Sequence, residues 1–175
     1  LPERTAASHQ LVARHGRHHS LFVQLAPIKV TMPAPDTIHD AVRNALVKDG
    51  WLITHDPYVI QFEEITLFAD LGAERAMAAQ LGSHKIVVEV KSFVSRSPIQ
   101  DLKLALGQYD LYQGFLELVD PERKLFLAVS RGVYNGLFSQ RTIQMIAQRY
   151  ELPILVVDIE TEEIVAWTKS PTIEI

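Results

Sequence analysis

Apolar residues first recur at helical spacing at Ile38, Ala41, Val42, Ala45 and Leu46. They fall on one face of a helix that Asp36 or Thr37 is expected to cap and Gly50 to end. After Trp51 the pattern shortens. Residues 51–54, 59–62, 66–71, 76–80 and 85–93 are β-rich runs, broken by the turn residues His55-Asp56-Pro57 and Gly82-Ser83. Their close spacing predicts an antiparallel meander. Pro98 then opens a long helix in which Ile99, Leu102, Ala105, Leu106 and Tyr109 form a stripe. A buried strand at 125–129 follows Asp120-Pro121, and the next helix turns Phe138, Ile143, Ile146 and Ala147 inward. A strand at 154–157 and a hairpin arm at 164–167 complete the domain. This order predicts an α/β fold, a central mixed sheet flanked by helices.

Composition narrows the chemistry. With 175 residues, 47% hydrophobic and 22% charged, the chain has the profile of one soluble globular domain. It contains no cysteine, which excludes disulfides, thiolate zinc sites and thiol nucleophiles. Any metal must be held by oxygen or imidazole, a ligand set that favours magnesium or manganese. No apolar run approaches the roughly 20 residues that span a bilayer, so no membrane role is expected. The net charge of −4 argues against a generally basic nucleic-acid binder.

The charge is unevenly spread. Residues 1–31 hold four of the 17 basic residues and one of the 21 acids, leaving 13 against 20, about −7, in the remainder. They also hold four of the seven histidines. Position 1 is leucine, whereas Met32-Pro33-Ala34 has the form of a start. Residues 1–31 are therefore expected to be a basic arm, non-native or disordered, outside a domain at 32–170. The alternative is an arm that touches DNA.

The candidate site lies in Lys85-Ile86-Val87-Val88-Glu89-Val90-Lys91-Ser92-Phe93. The centre of this run is apolar on both faces, as in an interior strand. Strand alternation puts Glu89 and Lys91 on one side, where two charges are costly unless paired, solvated or bound to a metal. The run Thr66-Leu67-Phe68-Ala69-Asp70 also ends in a lone carboxylate, so Asp70 and Glu89 can converge on one cation; the alternative is a structural salt bridge or a solvated strand end. Two other matches to the acid-x-Lys pattern lack this setting: Glu122-Arg123-Lys124 precedes its strand, and Asp101-Leu102-Lys103 lies on a helix. Further along, Gln108 and Tyr112 stand four apart on one helix face.

With its apolar-Asp, apolar-Glu-x-Lys and Gln-x-x-x-Tyr motifs in that order, the chain resembles the PD-(D/E)xK nuclease superfamily. More narrowly, Ile38-His39-Asp40-Ala41-Val42, Asp49-Gly50-Trp51, Ile53-Thr54-His55-Asp56-Pro57-Tyr58, Asp70-Leu71-Gly72-Ala73-Glu74, Glu89-Val90-Lys91-Ser92-Phe93 and Ala105-Leu106-Gly107-Gln108 resemble the XisH family. These are cyanobacterial fdxN-element excision controlling factors, and the likeness runs from about Met32 to Trp167. It implies a restriction-endonuclease-like fold and a cytoplasmic role in DNA rearrangement, beside a site-specific recombinase and an XisI-like companion. It also implies Mg2+ or Mn2+ held by Asp70, Glu89 and a backbone carbonyl such as that of Val90. Lys91 would polarise the phosphate or the attacking water, with Gln108 and Tyr112 supporting the site.

Three auxiliary residues are weaker candidates. His39 or Asp40 on the first helix can reach the site as a ligand or supporting group, but for His39 the favoured reading is a solvated residue beside the helix's apolar stripe. Glu74 is read as a third acid near Asp70 or as a surface residue. Three functions stay open: a metal-dependent endonuclease, a non-catalytic DNA- or protein-binding regulatory subunit, and half of an obligate complex. A homo-oligomer is compatible with each.

Overall fold

The computed structural model describes residues 35–76 and 83–171. The chain divides into two units, Leu1–Thr31 and Met32–Ile175. The first unit, and with it the expected arm, lies outside the described residues.

Helix α1 (Pro35–Lys48) buries Ile38, Val42, Ala45 and Leu46. It starts at Pro35, so Asp36 and Thr37 sit in its first turn instead of capping it. Gly50 ends it as expected: its φ of +85° lets Trp51 N–H donate to the Leu46 carbonyl at 3.0 Å. Strands β1 (Leu52–His55), β2 (Tyr58–Phe62), β3 (Ile65–Ala69), β4 (Leu71–Ala76) and β5 (Ser83–Val90) follow. Next come α2 (Pro98–Val119), β6 (Arg123–Ser130), a short α3 (Arg131–Val133), a π-helical turn (Tyr134–Phe138), α4 (Arg141–Arg149), β7 (Ile154–Asp158) and β8 (Glu163–Trp167).

Among the described residues six strands form one mixed sheet in the order β1-β4-β5-β6-β7-β8. The β5–β6 and β6–β7 pairs are parallel and the other three antiparallel. Helices cover both faces. On one side α1 packs over Ile86, Val88, Phe126, Ala128, Leu155 and Val157. On the other, α2 and α4 pack over Leu127, Val129, Ile154 and Val156. Burial on both faces is why β6 and β7 read as continuous apolar runs. Among the described residues no helix is long and apolar enough to cross a membrane.

The meander expectation needs correction. The run at 66–71 is two strands: β3 pairs only with β2 in a separate two-stranded sheet, while β4 enters the main sheet. Strand β1 skips that hairpin and pairs with β4. Tyr58, Ile60 and Ala69 of the hairpin need a second apolar surface, which Val87, Tyr112, Leu116 and Leu125 supply. Asp70 is thus the link between two sheets. Strand β4 ends at Ala76, and residues 77–80 of the expected strand at 76–80 lie outside the described residues. Strand β5 stops at Val90, and Phe93 beyond it has φ +51°. The helix expected after β6 is broken, because Gln140 has an extended backbone (ψ 129°) between the π turn and α4.

The hairpin can approach the sheet only because position 72 is glycine. A Cβ there would stand 2.6 Å from Cδ2 of Tyr58. Gly72→Ala is therefore expected to cost about 1–3 kcal/mol, the usual penalty for overpacking, read as a lowered urea midpoint. An unchanged midpoint would show that Tyr58 moves aside freely.

Candidate active site

Three elements bring the site together. The β4–β5 register pairs Leu71 with Val88, so Asp70 stands across from Glu89 where the strands end. The alternation that sends Ile86 and Val88 to α1 sends Val87 and Glu89 to α2. Helix α2 begins cleanly, with Ser97 Oγ accepting from Gln100 N–H at 3.3 Å and Pro98 in the first turn. Gln108 and Tyr112 then lie one turn apart above β5.

The contacts form one chain of hydrogen bonds. Asp70 Oδ2 accepts from the Val90 N–H at 2.7 Å. Glu89 Oε1 accepts from Lys91 Nζ and from Gln108 Nε2, each at 2.7 Å. Gln108 Nε2 also donates to the Tyr112 hydroxyl at 2.7 Å, and that hydroxyl donates to the Phe68 carbonyl at 2.7 Å. The last bond clamps β3 two residues before Asp70. No side-chain pattern advertises the Phe68 carbonyl, since any residue there provides one.

Glu89 is 5% exposed, and its Oε2 is buried without a hydrogen-bond partner among the described residues. An unpaired carboxylate oxygen in such a place is expensive. Burial pushes the Glu89 carboxyl above the ordinary carboxylate range, and the Asp70 charge adds to the rise. The Lys91 ammonium and the Asp70 backbone N–H offset only part of it. Tyr112 is also raised, chiefly by burial.

A cleft of about 240 Å3 opens beside Lys91, lined by Ser92, Phe93, Val94, Ser95, Asp101 and Leu104. A larger one of about 600 Å3, between Tyr134, Gln144, Glu151 and Lys169, includes none of the site residues.

Asp70, Glu89, Lys91, Gln108 and Tyr112 therefore meet, and the backbone of Val90 joins them. The three auxiliary candidates do not. His39 Nε2 lies 3.1 Å from Asp56 Oδ1, in a cluster with Arg43. Asp40 is exposed, 3.7 Å from His39 Nδ1. Glu74 pairs with Arg123, which also donates to Asp120 at 2.8 Å. Four residues of extended strand, about 13 Å, separate Glu74 from Asp70, too far to share an ion. Among the described residues no group of three or more acidic or histidine side chains is placed to hold a metal.

A family model described as XisH protein matches residues 32–165. The chain belongs to the XisH family. The crystal structure of an XisH family protein from Nostoc punctiforme PCC 73102 is similar at 38% identity and TM-score 0.70, over 77% of this chain and all of that one. A fdxN element excision controlling factor protein from Anabaena variabilis is similar at 39% identity and TM-score 0.69, over 77% of this chain and 99% of the other. No curated protein matches.

The raised Glu89 carboxyl gives a pH test. It binds its proton more tightly in the folded chain than in the unfolded one. Its contribution to stability is therefore full below the ordinary value of 4.5 and is lost as pH rises through the folded value. In chelator, Glu89→Gln should match wild type near pH 4 and become the more stable protein at pH 8, by chemical denaturation. A difference that does not vary with pH would contradict this.

Tyr112→Phe strands the Phe68 carbonyl and frees Gln108. It should cost about 1–3 kcal/mol, measured by the same method.

Proposed function

We propose that this XisH family chain is a DNA-element excision controlling factor with a phosphodiester-hydrolysing site at Asp70, Glu89 and Lys91. The observation that carries the reading is the buried, unpartnered Oε2 of Glu89 beside Asp70. A protein keeps such an atom at a cost, and a ligand that pairs with it removes the cost. The order of elements also supports a restriction-endonuclease-like, PD-(D/E)xK reading. Acids end two paired antiparallel strands of a mixed sheet, a lysine follows two residues on, and a glutamine reaches in from the next helix.

The residues fit a hard divalent cation, Mg2+ or Mn2+. Asp70 and Glu89 offer two carboxylates, and magnesium is commonly held by one or two, with water and substrate phosphate filling the rest. The Val90 carbonyl is the backbone oxygen assigned to the set. When bound, such a cation supplies Lewis acidity at a phosphate oxygen and lowers the pKa of coordinated water.

The chain's own groups do the remainder. Gln108 fixes Glu89 Oε1 and leaves Oε2 without a hydrogen-bond partner among the described residues. Tyr112 holds Gln108 and the strand before Asp70 in register. Lys91 now neutralises Glu89. With Glu89 otherwise paired, its ammonium turns to the phosphate and stabilises charge building on the non-bridging oxygens. Water attacks phosphorus, the bond to the leaving oxygen breaks, and the proton lost by water balances the one the leaving group gains.

In this reading the partners are DNA, an XisI-like companion protein and a site-specific recombinase. A second reading, a non-catalytic DNA- or protein-binding subunit, draws support from the net charge of −4, which does not favour tight unaided binding to a polyanion.

The test is Mg2+- or Mn2+-dependent cleavage of single-stranded, duplex and branched DNA. Glu89→Ala and Lys91→Ala should each lower the rate by about 10²-fold or more. Manganese should raise the melting temperature of wild type and not of Glu89→Ala. Cleavage surviving both substitutions would sink the assignment. No cleavage by wild type, even with its companion, would favour the second reading.

A further inference from the structure

Helix α2 is apolar on two opposite sides. Its inner side, with Leu102, Ala105, Tyr112 and Leu116, is buried in the domain. Its outer side carries Leu104, Leu111 and Leu118, which are 63%, 50% and 63% exposed. These leucines repeat every seven residues, and Gly107 and Gly114 fall between them, both exposed. The stripe Leu104-Gly107-Leu111-Gly114-Leu118 therefore has the 3-4 spacing of a coiled-coil seam. A contiguous apolar stripe rimmed by charged residues is the usual mark of a protein-association surface.

The two glycines point the same way. Glycine is among the poorest residues for a helix interior. Within the described residues neither needs to be glycine, since a Cβ at either position would meet nothing within 4 Å. Glycine at alternate seam positions lets a second backbone come close, with leucines of one helix seated over the glycines of the other.

We propose that two copies of this chain associate through α2, antiparallel across a two-fold axis. Between residues 104 and 114 the stripe is its own complement. With Leu104 over Gly114 of the second copy, Leu111 falls over Gly107 of that copy, and symmetry repeats both contacts. The flanking charges favour the same arrangement. Lys103, Asp110 and Glu117 line one side of the seam, all exposed, and antiparallel pairing brings each Lys103 to Glu117 of the other copy. Asp110 meets its own mate near the axis, one repulsion against two attractions.

Gln108 flanks the seam on the other side, so both candidate sites lie on one face of the dimer. That consequence rests on the function proposed above, as two active sites on one face suit cleavage of both strands of a duplex. The dimer itself does not depend on it.

Sedimentation equilibrium of the full chain over a range of concentrations tests the proposal without reading cleavage. Wild type should approach twice the 19.7 kDa of one chain. Leu111→Glu and Lys103→Glu should each weaken association at least tenfold. Adding Glu117→Lys to Lys103→Glu should restore it. These side chains are exposed, so circular dichroism and melting temperature should confirm intact folds. Gly107→Ala should raise the melting temperature of the separated chain while weakening the dimer.

A mass of 19.7 kDa at every concentration would overturn the proposal. So would a dimer indifferent to Leu111→Glu, or a charge swap that fails to rescue. A monomer that dimerises only once residues 1–31 are removed would show that the arm covers the stripe, and would overturn it as well.

Discussion

Burying a carboxylate at the end of an apolar strand costs free energy unless both its oxygens find partners, and much of this structure is arranged around one that does not. Glu89 follows Ile86, Val87 and Val88, all fully buried between the two helical layers. Its Oε1 holds Lys91 and Gln108, while Oε2 has no hydrogen-bond partner among the described residues. The raised proton affinity of Glu89 expresses the same imbalance. A carboxyl pressed toward neutrality by burial and by a neighbouring acid would be stabilised by a cation, so in the proposed site metal would compete with protons.

Packing keeps the imbalance from relaxing. Strands β5 and β6 are clamped between α1 and α2, so Glu89 cannot swing into solvent without disturbing either layer. The β2–β3 hairpin closes the site from the side. Its strand β3 is tied to α2 through the Phe68 carbonyl and Tyr112, and Gly72 lets Tyr58 lie close against β4. Asp70, as the joint between hairpin and sheet, is fixed from both directions. Its carboxylate is further anchored on the Val90 N–H.

Much of the site could be read along the chain because two periodicities place it. Alternation along β5 puts Glu89 beside Lys91, and the helical repeat puts Gln108 beside Tyr112, whatever the rest of the fold does. The sheet's layers followed from the continuous apolar runs of β6 and β7. What was not legible depended on distant partners. Leu67, Phe68, Ala69 and Leu71 flank Asp70 with apolar residues and no turn residue interrupts them, so nothing there marks Asp70 as the point where one sheet ends and another begins. Glu74 looks like a third acid until Arg123, 49 residues on, takes it up. His39 reads as a solvated helix residue until Asp56 is folded against it. The unpartnered oxygen of Glu89 belongs to the packing and has no counterpart in sequence.

The central claim is that Glu89 Oε2 is a ligand position. Anomalous diffraction from crystals soaked in Mn2+ tests it most directly. The account predicts one strong peak within bonding distance of Glu89 Oε2 and Asp70, with Lys91 Nζ drawn away from Glu89. Manganese bound only at other carboxylates, with the Lys91–Glu89 pair intact, would contradict it.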